Sequence, residues 1–219
     1  MAVAAIFDID GTLVAFKFDA QGCRRALIAE LGARGVDTSG LTLTTPTQGI
    51  LDAAKVRMRE SGPGGYELYR EKVFSMLDEF ELENIDATIP FPGVRDSLLY
   101  LRSKGVRLAV LTNSGRKASS LSIKRAEVGD CLEFVLTRED TEAMKPSPQG
   151  LEQAVSMLSL PKEEVYYVGD STFDVMAANR AGVKMVAVTT GSYSAERLKS
   201  EGADYVVPTL AQLPRVLGV

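Results

Sequence analysis

Two carboxylates, Asp8 and Asp10, stand one residue apart in Asp8-Ile9-Asp10-Gly11-Thr12-Leu13, directly after the apolar run Val3-Ala4-Ala5-Ile6-Phe7. Like charges this close raise each other's pKa unless a cation or hydrogen bonds hold the charged form. At the mouth of a buried strand the pair calls for a metal ion. Further polar clusters follow later apolar runs: Thr112-Asn113-Ser114, Lys145-Pro146, and Gly169-Asp170-Ser171 with Asp174 behind it. Taken singly, each has a simpler reading: a cap for the next helix, a solvated loop lysine, or acids complementing a helix dipole. Together, each after a predicted strand and on one edge of a sheet, they describe a phosphoryl-transfer site.

The residue inventory narrows the chemistry. The chain has no histidine, which removes Ser-His-Asp hydrolysis, Cys-His proteolysis, phosphohistidine chemistry and His-ligated zinc. No Gly-Lys dipeptide occurs, so there is no P-loop, and Glu67 stands where Gly62-Pro63-Gly64 would need the third glycine of a dinucleotide fingerprint. Neither Cys23 nor Cys131 carries the arginine of a cysteine phosphatase loop, and both read as free and buried thiols. Oxygen nucleophiles and oxygen ligands remain, with a carboxylate as the general acid or base.

The elements that must position these residues alternate between β-branched apolar runs and amphipathic stretches, the pattern of a parallel sheet covered by helices. Strands are predicted at residues 3–7, 106–111, 133–136, 165–168, 185–188 and 205–207. Helices are predicted over 94–103, 147–158 and 174–181, the second with Ser147 as N-cap and Pro148 at the first helical position. From Phe16 to Ile89 the alternation stops, and the stretch reads as helices over 20–31, 50–60 and 65–79 with no strand. Breaks fall at Gly35, Pro46 and Gly62-Pro63-Gly64, and Pro90-Phe91-Pro92-Gly93 marks the return to the sheet. The expected organisation is an α/β, doubly wound Rossmann-like core (1–15 and 90–219) with an inserted α-helical domain (16–89).

Composition excludes some partners. With 45% hydrophobic and 25% charged residues and a net charge of -4, the 219-residue chain reads as globular, its substrate small rather than nucleic acid. The N-terminal run is interrupted by Asp8 and lacks preceding basic residues, so neither a signal peptide nor a membrane span is expected, and a cytoplasmic location follows.

On these motifs the chain resembles haloacid dehalogenase superfamily phosphatases: Asp8 to Leu13 is similar to that family's first motif, Thr112-Asn113 to its second, Lys145-Pro146 to its third and Gly169 to Asp174 to its fourth. Pro90 to Val94, Ala181-Gly182-Val183 and Thr189-Thr190-Gly191 resemble the phosphoglycolate phosphatase branch. The resemblance implies Asp8 as nucleophile forming an aspartyl-phosphate, and Asp10 as the acid that protonates the leaving oxygen and then activates water. It implies Mg2+ held by the Asp8 carboxylate, the Asp10 carbonyl and Asp170, with Asp174 behind them. Lys145 would neutralise charge at Asp8 and on the phosphoryl group, Thr112 and the Asn113 N–H would bind its oxygens, and Gly11 would let the backbone pass closely.

The insertion resembles the family's helical cap, which closes over the site and selects the leaving group. Lys17, Thr45, Thr47, Gln48, Lys55 and Arg59 could meet a substrate there but read mainly as solvated, and Tyr66 and Tyr69 read as packing. Val14-Ala15-Phe16 departs from the small polar residue many relatives carry after the first motif. The expected activity is Mg2+-dependent hydrolysis of small phosphorylated metabolites, phosphoglycolate among them, by a monomer or homodimer. The alternatives are a phosphomutase similar to β-phosphoglucomutase, a dehalogenase, and a non-catalytic phosphate-binding regulator.

Overall fold

The computed structural model describes residues 3–59 and 64–219. By internal contacts the chain divides into two compact units: residues up to Phe16 together with Ala87–Val219, and Lys17–Asp86.

The first unit is built on a six-stranded sheet: β1 (Ala4–Phe7), β4 (Arg107–Leu111), β5 (Val135–Leu136), β6 (Val165–Gly169), β7 (Lys184–Val188) and β8 (Tyr205–Val207). The strands lie in the order β5-β4-β1-β6-β7-β8, every pairing parallel. β1 is buried on both faces, as its uninterrupted apolar sequence demands of a central parallel strand. Alternate residues feed two cores. Ala5, Phe7, Leu108, Val110, Val168 and Val186 pack with Val94, Leu98 and Leu101 of α4 (Val94–Ser103). Ala4, Ile6, Ala109, Leu111, Tyr167 and Met185 pack with Leu151 and Leu158 of α6 (Gln149–Leu158) and Val175 and Ala178 of α7 (Thr172–Ala181). This is the doubly wound α/β architecture expected from the sequence.

The order of the strands locates the ligand site. From β1 the sheet grows outward through β4 to β5, after which the chain crosses back to β6 on the other side of β1. In such sheets the crevice beyond the carboxyl ends at the switch point binds ligands. Here that point lies between β1 and β6, the strands that end in Asp8 and Asp170.

The second unit carries α1 (Ala20–Ala33), α2 (Thr47–Arg57) and α3 (Gly65–Glu83). Asp19 caps α1 by accepting the Gly22 N–H at 2.8 Å. Cys23, Leu27 and Leu31 on α1 and Tyr69, Val73 and Leu77 on α3 repeat every four residues and are buried, the stripe that lets helices pack. Tyr69 donates to the Leu27 carbonyl at 3.1 Å, so it serves packing as expected, while Tyr66 is half-buried. Among the described residues no helix is long and apolar enough to cross a membrane. Cys23 and Cys131 are both buried, and no disulfide joins them.

Four local readings need correction. The stretch before the sheet's return is not strand-free: β2 (Val14–Ala15) and β3 (Ile89–Pro90) form a two-stranded antiparallel ribbon at the ends of the insertion. The helix expected to start with Ser147 as N-cap and Pro148 at its first position begins at Gln149, with Pro148 at the N-cap and no side-chain cap hydrogen bond; the Ser147 hydroxyl only accepts the Gln149 N–H at 3.4 Å. The helix expected from Asp174 begins at Thr172, because Ser171 and Asp174 close a capping box. The predicted helix over 50–60 is observed as Thr47–Arg57, and its expected last residue, Glu60, lies outside the described residues, as do Gly62 and Pro63.

Candidate active site

Asp8, Thr112 and Asp170 each sit where a strand ends. Asp8 follows β1, and its N–H donates to the Val168 carbonyl at 2.8 Å, which continues the β-type bonding one residue past the strand. Asp170 follows β6, Thr112 follows β4, and Lys145 lies in the connection from β5 to α6. Asp8, Thr112, Lys145, Asp170 and Asp174 are all buried, an unusual density of polar groups for a protein interior.

Lys145 organises them. Its Nζ stands 2.9 Å from Asp8 Oδ1 and 2.7 Å from Asp174 Oδ1. Asp174 is then fully engaged: Oδ1 also accepts from the Tyr167 hydroxyl at 3.0 Å, and Oδ2 accepts from the Ser171 N–H at 2.9 Å and the Ser171 hydroxyl at 2.6 Å. Asp8, Asp170 and Asp174 can each offer an oxygen within 4.8 Å of the others. Because both oxygens of Asp174 are taken, Asp8 and Asp170 are the two that can turn to a cation.

The electrostatics follow from burial. Burial pushes the Asp8 carboxyl up to about 6, with Lys145 opposing the rise and Asp174 adding to it. Asp170 is driven up to about 8 by burial, then by Asp174 and Asp8. Burial would raise Asp174 as well, yet the Lys145 ammonium and the Ser171 hydrogen bonds hold it below the usual carboxylate range. Lys145 keeps its proton more firmly than a free lysine despite its burial, because Asp174 and Asp8 surround it. Asp170 resists ionisation at neutral pH, and Asp8 ionises only above the ordinary carboxylate range; an all-oxygen pair of this kind fits a hard divalent cation such as Mg2+, which favours the charged form of both carboxylates.

Asp8 and Asp170, both raised, bind protons more tightly folded than unfolded, so without a divalent cation stability falls as pH rises from about 4 towards the folded values of about 6 and about 8. Asp174, depressed instead, contributes stability that is lost only as pH falls below its ordinary range. In EDTA the thermal midpoint should therefore drop between about pH 5 and about pH 8, and MgCl2 should raise it more at the higher pH.

Space around Asp170 is sculpted by glycine. Gly11 adopts φ 80°, and a Cβ there would fall 2.3 Å from Asp170 Oδ2; at Gly191 it would fall 1.7 Å from the same oxygen. No side chain fits at either position while Asp170 keeps its place. The Thr12 hydroxyl donates to Asp170 Oδ1 at 3.2 Å, and the Thr190 hydroxyl ties down the Gly11 carbonyl at 2.6 Å.

Asp10 is held apart from the three clustered acids. It is half-buried, and the Ser114 hydroxyl donates to its Oδ2. Asn113 uses its side chain to clasp Lys145: Oδ1 accepts the Lys145 N–H at 2.8 Å and Nδ2 donates to the Lys145 carbonyl at 3.0 Å. Thr112 Oγ1 accepts the Ser114 N–H at 3.1 Å, which shapes the turn after β4.

Sequence reasoning missed several members of this arrangement. Arg138 is fully buried beneath the same turn, its N–H donating to the Ser114 carbonyl and its Nη1 to the Asn113 carbonyl, each at 3.4 Å. Its Nε stands 3.5 Å from Glu139. Arg116 clamps the turn from outside, donating its N–H to Glu139 at 3.1 Å and its guanidinium to Asp140 at 2.7 Å. Tyr167 also lies outside the predicted set, whereas Ser171, read as part of the strand-end cluster and a possible cap, is the N-cap that holds Asp174. In the inserted unit, Gln48 donates to Asp52 at 2.7 Å, Thr45 accepts the Thr42 N–H at 2.9 Å, and Lys55 lies 5.9 Å from the Tyr66 ring, so these three serve contacts within the unit. Lys17 and Arg59 are exposed, and Thr47 opens α2.

The haloacid dehalogenase-like hydrolase family model matches residues 5–188. The chain belongs to that family. It is 27% identical over 214 residues to the phosphoglycolate phosphatase of Pseudomonas putida strain KT2440, a match that covers 95% of this chain and 77% of the relative. A shorter match of 130 residues at 28% identity, spanning 59% of this chain and 60% of the relative, is to the pyrophosphatase PpaX of Halalkalibacterium halodurans. A haloacid dehalogenase family hydrolase from Deinococcus radiodurans, solved with bound phosphate and sodium, superposes with TM-score 0.61 over 99% of this chain and 95% of that one at 20% identity, a likeness of fold. The chain is therefore an enzyme of a hydrolase family whose curated relatives include phosphatases.

Proposed function

We propose that the protein is a Mg2+-dependent phosphatase of small phosphorylated metabolites that works through an aspartyl-phosphate on Asp8. The observation that carries this reading is the buried Lys145 ammonium bonded to Asp8 at 2.9 Å, with Asp170 crowded beside it at the switch point of the sheet. One cationic side chain cannot neutralise Asp8, Asp174 and Asp170 together, so the site is built for further positive charge and for an anion.

In the first step an Asp8 carboxylate oxygen bonds to phosphorus as the bond from phosphorus to the leaving oxygen breaks, and Asp10 gives that oxygen its proton. In the second, Asp10 takes a proton from water, the water oxygen bonds to phosphorus, and the bond to Asp8 breaks, releasing inorganic phosphate and restoring both carboxyl groups. Bound Mg2+, held by Asp8 and Asp170, supplies Lewis-acid charge that lets an anionic nucleophile approach an anionic phosphate. Lys145 offsets charge on Asp8, and Asn113 holds its backbone in place. The Ser114 hydroxyl fixes the Asp10 carboxyl.

The relatives make phosphoglycolate a substrate to test, and choice of leaving group is assigned to the inserted helical unit, because the core residues act on the phosphoryl group itself. A cytoplasmic location accompanies this reading. A panel of phosphorylated metabolites, scored by phosphate release with and without MgCl2, tests it: release should require Mg2+ and favour a small phosphate monoester. Phosphoryl transfer to a sugar phosphate without net release would instead establish a mutase, and no turnover on any ester would leave a binding protein.

A further inference from the structure

Tyr167 lies in the middle of β6 in the apolar run Val165-Tyr166-Tyr167-Val168, and its side chain is fully buried. Its ring belongs to the core formed with Ile6, Leu111 and Val175. A buried tyrosine hydroxyl is satisfied by one partner, and the Leu111 carbonyl at 3.1 Å could serve alone. Two functional groups nevertheless converge on it: Lys145 Nζ at 2.8 Å and Asp174 Oδ1 at 3.0 Å.

The donors and acceptors close without remainder around Lys145. An ammonium has three N–H groups, and the acceptors are Asp8 Oδ1 at 2.9 Å, Asp174 Oδ1 at 2.7 Å and Tyr167 Oη at 2.8 Å. The tyrosine proton then passes to the Leu111 carbonyl or to Asp174. Two of the three acceptors carry charge and lie on different elements, so by themselves they leave the ammonium free to swing between Asp8 and Asp174. The third acceptor is neutral and fixed on a central strand, and through Leu111 it is tied to the end of β4, where Thr112 begins the phosphate-facing turn.

We propose that Tyr167 is a positioning residue of the site: its hydroxyl, as the third acceptor of the Lys145 ammonium, fixes the direction in which that cation faces Asp8. The inference rests on the phosphatase reading above and deepens it. Misplacing a charge-stabilising group by a fraction of an ångström acts on the transition state more than on substrate binding. The effect should therefore appear in kcat and not in KM.

The test is Tyr167→Phe, which keeps the ring and removes only the hydroxyl. With p-nitrophenyl phosphate and MgCl2, kcat per folded molecule should fall about tenfold or more while KM stays within about twofold. The 15N–1H signal of the Lys145 side-chain ammonium should be sharp in the wild type and should broaden or vanish in the variant. Should Tyr167→Phe fail to fold, Tyr167→Met, whose pliable chain fills the space without a hydroxyl, carries the same expectations. A kcat within about twofold of wild type in a folded variant, a loss confined to KM, or an unchanged ammonium signal would overturn the proposal. Wild-type turnover that Asp8→Asn abolishes upholds the phosphatase reading in the same assay, so failure of the two ideas is distinguishable.

Discussion

Asp8→Asn should lower Mg2+-dependent hydrolysis of p-nitrophenyl phosphate by about 10⁴-fold or more, with the protein fully folded. The amide keeps the shape of the carboxyl and can still accept the Lys145 N–H that now meets Asp8 Oδ1 at 2.9 Å. What it loses is the charged oxygen that bonds to phosphorus. Asp174 is bound on both oxygens, Asp10 is turned to Ser114, and Asp170 is the carboxylate assigned to the cation, so none of these three is placed to take over. Stability should move the other way. Burial already pushes Asp8 up to about 6, so a neutral residue removes an unfavourable charge, and in EDTA near pH 8 the variant should melt no lower than wild type. Equal activity in Asp8→Asn and wild type would remove Asp8 from the chemistry.

Lys145→Met should cost both activity and stability. The methionine matches the length of the lysine stem but leaves Asp8 and Asp174 buried without the ammonium that now lies 2.9 Å and 2.7 Å away. Breaking a buried ion pair by removing one partner costs about 3–5 kcal/mol. At about 2–4 °C per kcal/mol for a chain of this size, the thermal midpoint should fall by about 6–20 °C. MgCl2 should restore part of that loss, since it supplies charge beside the same carboxylates. Turnover should fall about 10²–10³-fold, the scale of removing one preorganised charge donor from a transition state. Differential scanning calorimetry with and without MgCl2 checks the first effect and steady-state kinetics the second. A variant as stable as wild type in EDTA would show that Lys145 does not carry the buried charge.

Asp8, Thr112 and Asp170 were legible because each interrupts or ends an apolar run, and a parallel sheet gathers its strand ends on one edge. Lys145 was legible from its place before Pro146 and its membership in the set. Tyr167 was hidden for the opposite reason. Inside Val165 to Val168 a tyrosine reads as core, and strand alternation shows only that Tyr166 and Tyr167 face opposite cores, never that one hydroxyl reaches a lysine 22 residues earlier. Arg138 was hidden likewise, since a charged residue in a loop is ordinarily solvated. Here it is buried, with its guanidinium donating to the Asn113 carbonyl and its backbone N–H to the Ser114 carbonyl.

The ribbon of Val14–Ala15 and Ile89–Pro90 escaped because two residues per strand carry no period, and its pairing spans the whole insertion. Helix starts erred by two residues at Gln149, where no side chain caps the helix, and at Thr172, where the Ser171–Asp174 capping box and not the apolar pattern sets the start. None of these differences moves a site residue from its strand end. The fold was written in the apolar strands, and the chemistry in the polar residues just beyond their carboxyl ends; the side chains that hold the chemistry in place were not legible in either.

The central claim is that Asp8 becomes covalently phosphorylated during turnover. Quenching the enzyme during hydrolysis of p-nitrophenyl phosphate with MgCl2, reducing with borohydride and mapping peptides by mass spectrometry tests it directly, because an acyl phosphate is reduced to the alcohol while a free carboxylate is not. Homoserine at position 8, dependent on substrate and Mg2+ and absent from Asp8→Asn, is the expected result. Rapid turnover with position 8 unmodified, or reduction at another carboxylate, would contradict it.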